Sequence, residues 1–186
     1  MSRHRTTARG VLLLLLLLGL AGAASAAPPK SSTVPTLIFP VAGAATYIDD
    51  FGQARAGGAH QGNDLMAAKK TPVVAVEAGK VKFWTTSANA GCMLYLYGAR
   101  GTMYEYIHLN NDLTASNDNK GTCSQGVAYA VPHGLHVDAG ATMGYVGDSR
   151  HANGIPPHPP LEVHPPGGRA VAPSPLLTRR APPPHP

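Results

Sequence analysis

Hydrophobic positions beyond the first thirty-odd residues come in short runs punctuated by glycine and proline, and many of those runs alternate with polar residues. Outside the amino-terminal segment no window carries a sustained 3.6-residue apolar stripe, so strands are predicted rather than helices. Leu37-Ile38-Phe39 stops at Pro40, and Pro72–Glu77 leads into Gly79–Trp84. Cys92–Tyr97 alternates up to Gly98, Thr102–His108 follows a turn at Arg100-Gly101, and Thr142–Val146 and Leu161–Val163 complete the set. The predicted class is all-β and antiparallel, with long loops at 110–120 and after Cys123.

The two ends read differently from this body. Basic residues at Arg3, Arg5 and Arg9 precede an apolar core, Val11–Leu20, and then the small residues Ala24-Ser25-Ala26. That is the layout of a cleavable secretory signal over residues 1–26, its core too short for the ~20 residues of a bilayer span. Residues 27–36 read as a flexible leader, 37–177 as the folded domain, and 178–186 as a proline-rich disordered tail. The expected product is exported, to an extracellular, cell-wall or periplasmic location, without stable membrane insertion.

Charge narrows the partners. Three of the chain's 15 Lys and Arg fall in the signal, so the remainder is nearly balanced against 10 Asp and Glu. With no basic stripe, nucleic acid is excluded as a natural partner. Cys92 and Cys123 are the two cysteines. In an exported chain an even pair reads as a disulfide, whereas two metal-binding thiolates would sit closer together.

Candidate chemistry lies in three places. His60-Gln-Gly-Asn-Asp64 offers an imidazole and a carboxylate on a loop or irregular strand, a pairing that a simple surface hydrogen bond also explains. His108 ends the alternating run Tyr104, Tyr106, His108, whose members share one face by the two-residue period. In His158-Pro-Pro-Leu-Glu-Val-His164 the even-numbered positions share a face, with positions 158 and 160 about 6.6 Å apart along the backbone and His164 ~13 Å beyond position 160. Two adjacent prolines remove two ladder donors, which predicts a compromised central strand here.

Taken together, His60-x-x-x-Asp64, Tyr106-Ile-His-Leu109, Gly144-Tyr-Val-Gly-Asp148 and Pro157-His-Pro-Pro-Leu-Glu-Val-His164 resemble, in order, the LytM/lysostaphin-type zinc endopeptidases that cut peptidoglycan cross-links. The resemblance runs from about Phe39 to Leu177. It implies a β-sandwich-like antiparallel core with the site in a groove on one sheet. It implies zinc held by His60 and Asp64, His158 handling the catalytic water, and His108 stabilising developing negative charge. The family's third ligand, a histidine, corresponds to Pro160, and the leucine before it to Pro159. Asp148-Ser-Arg-His-Ala-Asn-Gly154 stands where family chains carry a Gly-x-x-Gly-like turn, so Arg150 and His151 are further departures.

Two readings follow from that resemblance. One is an exported zinc metalloendopeptidase hydrolysing glycine- or alanine-rich cross-bridge peptides. The other is a catalytically silent relative that binds peptidoglycan peptide or regulates a partner cell-wall hydrolase. A histidine-based extracellular metal scavenger is a third class, and the ordered hydrolase motifs speak against it.

Overall fold

A computed structural model describes residues 34–84 and 89–178; the signal segment, most of the leader and residues 179–186 lie outside these. The main sheet has six strands. In chain order they are β1 (Gly62–Asp64), β2 (Gly79–Trp84), β3 (Cys92–Gly98), β4 (Met103–Leu109), β5 (His136–Val137) and β6 (Pro160–His164). They lie side by side as β5-β2-β3-β4-β6-β1, every neighbouring pair antiparallel. The described residues contain no α-helix, only 3-10 turns at Arg150–Ala152 and Ser174–Leu176.

Strand identity follows the alternation in the sequence. On β3, Leu94 and Leu96 are fully buried, as are Tyr104 on β4 and Leu161 and Val163 on β6, all from one side of the sheet. A second layer covers that side. Its centre is the antiparallel pair Pro72–Val74 with Thr142–Tyr145, joined by Val41, Ala128 and Tyr129 in one apolar cluster. Tyr106 belongs to this core: its hydroxyl donates to the Val74 carbonyl at 3.1 Å and accepts from the Val76 N–H at 3.0 Å. Pairing of a buried polar tip in this way removes the cost of its burial.

Three connections fix the edges. Leu37–Ile38 pairs in parallel with Leu177–Thr178, so Thr178 belongs to a strand where the sequence suggested the start of a tail. Cys92 and Cys123 form a disulfide, pinning the long 110–123 segment to the start of β3. Lys69 bridges Asp112 at 2.6 Å and Asp148 at 2.8 Å. Burial opposes the Lys69 charge, but the two carboxylates outweigh it and raise the lysine's pKa.

The prolines of β6 do not break it. Pro160 is the strand's first residue and pairs only with β1, while pairing to β4 starts at Leu161. A proline at a strand entrance forfeits no ladder bond. The carbonyl of Pro159 still accepts from the Leu65 N–H at 3.4 Å. The expectation of a compromised central strand fails for that reason.

Candidate functional site

The side of the sheet away from the core carries a cleft of about 370 Å³. Its lining includes His60, Asp64, His108, His158, Pro160 and Glu162. The four residues singled out from the sequence thus converge, with the proline among them.

The early pair is set by a small hairpin. Ala54–Arg55 pairs with Gly58–Ala59, and His60 closes it by donating its N–H to the Gln53 carbonyl at 2.8 Å. The chain then enters β1, which delivers Asp64. His60 Nε2 lies 3.3 Å from Asp64 Oδ1. Two ligands of one tetrahedral zinc, each at ~2.0–2.1 Å, stand about 3.3 Å apart, so this edge has the spacing of a half-built centre. On the other side of the ring, Nδ1 lies 3.1 Å from Asp50 Oδ2, the arrangement that orients a metal-binding imidazole from outside.

Asp50 is buried and well held. Burial pushes its pKa up, but the Asn63 amide, the Asp64 N–H and His60 together outweigh that and keep the carboxyl below its usual range. Asn63 Nδ2 donates to Asp50 Oδ1 at 3.1 Å, and Asn63 Oδ1 accepts from the Ser174 N–H at 2.9 Å, tying the site to the end of the domain.

The remaining corner of the centre is missing. Pro160 is the Cα partner of Asp64 in the β6–β1 register, so the position at which the resemblance calls for a third imidazole faces the carboxylate directly but carries no donor atom. A cation is nevertheless present. Arg55 Nη2 donates to Asp50 Oδ2 at 2.8 Å and to Asp64 Oδ2 at 2.9 Å, and lies 3.3 Å from His60 Nδ1. The single guanidinium charge offsets part of the two carboxylates' charge that a metal would otherwise balance. The residues here therefore do not make a three-ligand zinc centre; Asp50, His60 and Asp64 cluster closely enough to touch one ion, but both carboxylates are already committed.

The histidines opposite are held by backbone carbonyls. His108 Nδ1 is 2.9 Å from the Ser149 carbonyl and His158 Nδ1 is 2.7 Å from the Pro156 carbonyl. A carbonyl only accepts, so each Nδ1 carries a proton, and in the neutral form of either ring the lone pair is on Nε2. The rings meet edge-on, centroids 5.6 Å apart. Burial, then the neighbouring His158, drives the His108 pKa down to about 4.

His108 is not on the face of Tyr104 and Tyr106, as strict alternation predicted. It adopts φ 53°, and the β4–β3 register shifts between Tyr106 and Leu109. This irregularity turns Ile107 and His108 both into the cleft and returns Leu109 to the core. Such bulges re-aim side chains next to sites.

Asp50, Arg55 and Glu162 were not picked out from the sequence. Glu162 had a signal, since it shares the period-two face of His158 and position 160. It lies in register with Glu105, and the two carboxylates with His164 form a second close group farther along the face. His164 Nε2 is 2.8 Å from Glu162 Oε2, a hydrogen bond that raises its pKa. Arg55 and Asp50 carried no pattern, because their convergence depends on the hairpin.

Comparison with known proteins settles the ancestry. The family model for peptidase family M23 matches residues 58–173. The chain belongs to this family. Among solved structures, it is similar to the catalytic domain of the antimicrobial peptidase lysostaphin from Staphylococcus simulans, with 23% identity, a TM-score of 0.53, and coverage of 70% of this chain and 87% of that one. It is similar to a Ruminococcus gnavus protein assigned as a glycyl-glycine endopeptidase of the LytM type, at 24% identity and TM-score 0.56, covering 75% of this chain and 58% of the other. A zinc-containing peptidase from Vibrio cholerae gives 22% identity and TM-score 0.52, covering 72% of this chain and 37% of the other. No curated protein sequence matches the chain.

Proposed function

We propose that this M23 chain is an exported cell-wall protein that binds peptidoglycan cross-bridge peptide in the His60–His158 cleft and has lost zinc-dependent hydrolysis. One observation carries the reading: Pro160 stands opposite Asp64 where a third ligand belongs, while Arg55 occupies both carboxylates. Zinc in this family would polarise the scissile carbonyl and lower the pKa of bound water to ~7. With the ligand Asp64 engaged by a guanidinium and Pro160 standing at the third position, that chemistry has no firm seat here.

Binding requires less. His108 and His158, each with its proton held on Nδ1, present Nε2 lone pairs that accept N–H groups of a peptide laid across the sheet. Arg55 and the surrounding loop backbone supply donors for the carbonyls. Glycine- and alanine-rich strands suit a narrow cleft because they bring backbone amides close without side-chain bulk. The signal-like residues 1–26 support delivery to the wall, where a partner hydrolase is the natural recipient of regulation.

The test measures zinc content, peptidoglycan binding and fragment release on one sample of the mature protein. Binding without stoichiometric zinc or release is expected. Zinc near one per chain together with release selects the hydrolase reading, with Glu162 or His151, both lining the cleft, as the substitute ligand.

A further inference from the structure

A second cavity, of about 940 Å³, lies beside the cleft rather than in it. It is bounded by the Cys92–Cys123 disulfide, by Asn111, Asn119 and Thr122 of the long loop, and by Ser149, Arg150, His151 and Asn153 of the turn after Asp148. His151 lines both spaces, so the cavity and the cleft adjoin. This turn is the segment that departs from the family's glycine-bounded pattern, and it furnishes four of the cavity's lining residues.

Three asparagines, Asn111, Asn119 and Asn153, contribute side-chain amides to the lining. Asn111 Nδ2 donates to Asn119 Oδ1 at 3.0 Å, Asn119 Nδ2 donates to Asn153 Oδ1 at 3.1 Å, and Asn117 Nδ2 donates to the same Asn153 oxygen at 2.7 Å. The network is incomplete: Asn111 Oδ1 is buried and finds no hydrogen-bond partner among the described residues. A buried carbonyl left unpaired costs ~1–3 kcal/mol. A side-chain amide offers donor and acceptor in one plane, the same pattern as a peptide group.

Arg150 is the cationic residue of the lining. Its backbone sits at φ 61°, and that of Asn119, also in the lining, at φ 50°. Asparagine tolerates this region, but at arginine left-handed backbone is costly and persists where the surroundings over-determine it. The disulfide supplies part of that constraint. So does the bond from the Cys92 N–H to Ser149 Oγ at 3.0 Å, which fixes the turn against the start of β3. The space is thus pre-formed, polar and cationic at one point.

We propose that this cavity is a subsite for the carboxylate-bearing end of a peptide, its terminal amides paired with the asparagine wall and its carboxylate with the Arg150 guanidinium. The inference rests on the cleft as a peptide-binding groove and extends it: the next residues of the same peptide would pass His151 toward His108 and His158. Guanidinium–carboxylate pairing can be bidentate, which gives direction to the bound strand as well as attraction.

The experiment is an NMR titration of the isotope-labelled, oxidised mature chain in the presence of EDTA. The probes are N-acetyl-alanyl-alanine as the free acid, the same dipeptide as its carboxamide, N-acetylglucosamine as a neutral amide, and pentaglycine amide as a cleft probe. The free acid is expected to shift the side-chain amides of Asn111, Asn119 and Asn153 saturably, with the carboxamide at least tenfold weaker. Arg150→Gln is expected to abolish that difference, and Asn119→Ala to weaken the acid and the carboxamide alike. Equal affinity for acid and carboxamide, a stronger response to the sugar, or no saturable response at these asparagines overturns the proposal. Pentaglycine amide reports on His108 and His158 independently. If it binds while the acid fails, the subsite falls and the cleft stands; if neither binds, both fall.

Discussion

Pro160 and Asp64 are direct cross-strand partners at the junction of β6 and β1. Position 160 therefore has the placement a third ligand needs, and only its side chain lacks a donor. The replacement Pro160→His, with Pro159→Leu to ease the strand entrance, is expected to raise bound zinc from well below one to near one per chain, read by elemental analysis. Should the double variant still hold no metal, the committed carboxylates rather than the missing imidazole govern the site.

Arg55 bears on the same question from the other side. Its side chain is 43% exposed, so its salt bridges to Asp50 and Asp64 are discounted for solvent. Arg55→Gln is expected to cost about 1 kcal/mol, which for a chain of this size is roughly 2–4 °C in Tm. In the Pro160→His background the same change is expected to tighten zinc binding by tenfold or more, because two carboxylates lose their competing cation. A competition titration against a colorimetric chelator measures it; unchanged affinity would show that Arg55 does not hold the site closed.

Much of this was visible in the chain, and the exceptions have physical reasons. The long strands announced themselves by alternation, since Leu94, Leu96, Leu161 and Val163 face a single core. The members of the site were legible because His60, Asp64, His108 and His158 carry donor chemistry at motif spacing. Two-residue strands such as Ala54–Arg55 and His136–Val137 left no trace, being too short for any period to show. The misplacement of His108 arose from one residue of left-handed backbone, which alternation does not foresee. Arg55 was silent because its role comes from folding back over five residues onto His60. The proline pair misled because a residue count does not say where a strand's pairing with each neighbour starts.

The disulfide closes a loop between residues 31 apart in sequence, at a Cα–Cα distance of 5.0 Å. Cross-linking a loop of that length restricts the unfolded chain by about 3–4 kcal/mol in the chain-entropy account. Cys92→Ala with Cys123→Ala is expected to lower the urea midpoint accordingly, with the slope altered by the looser unfolded state. It is also expected to release the 110–123 segment and reduce binding in the adjoining cavity more than in the cleft. Two free thiols found by mass spectrometry after alkylation of the oxidised protein would contradict the pairing.

The cleft should also leave a mark on the pH dependence of stability. Burial and the proximity of His158 hold the His108 pKa at about 4, against an ordinary value of 6.5 in the unfolded chain. Between those values the unfolded chain binds a proton that the folded one refuses, so stability increases with pH across this window. The contribution of His108 is present in full above about pH 6.5 and is lost as pH falls toward 4, amounting to about 3 kcal/mol over the range. His108→Asn keeps a residue that tolerates φ 53° yet does not titrate, so it isolates the proton from the backbone. Denaturant unfolding at a series of pH values should show a steeper fall below pH 6.5 in the natural chain than in this variant. Superimposable profiles would mean that His108 takes up its proton without penalty, and that the cleft is far more hydrated than its packing against Ser149 and His158 implies.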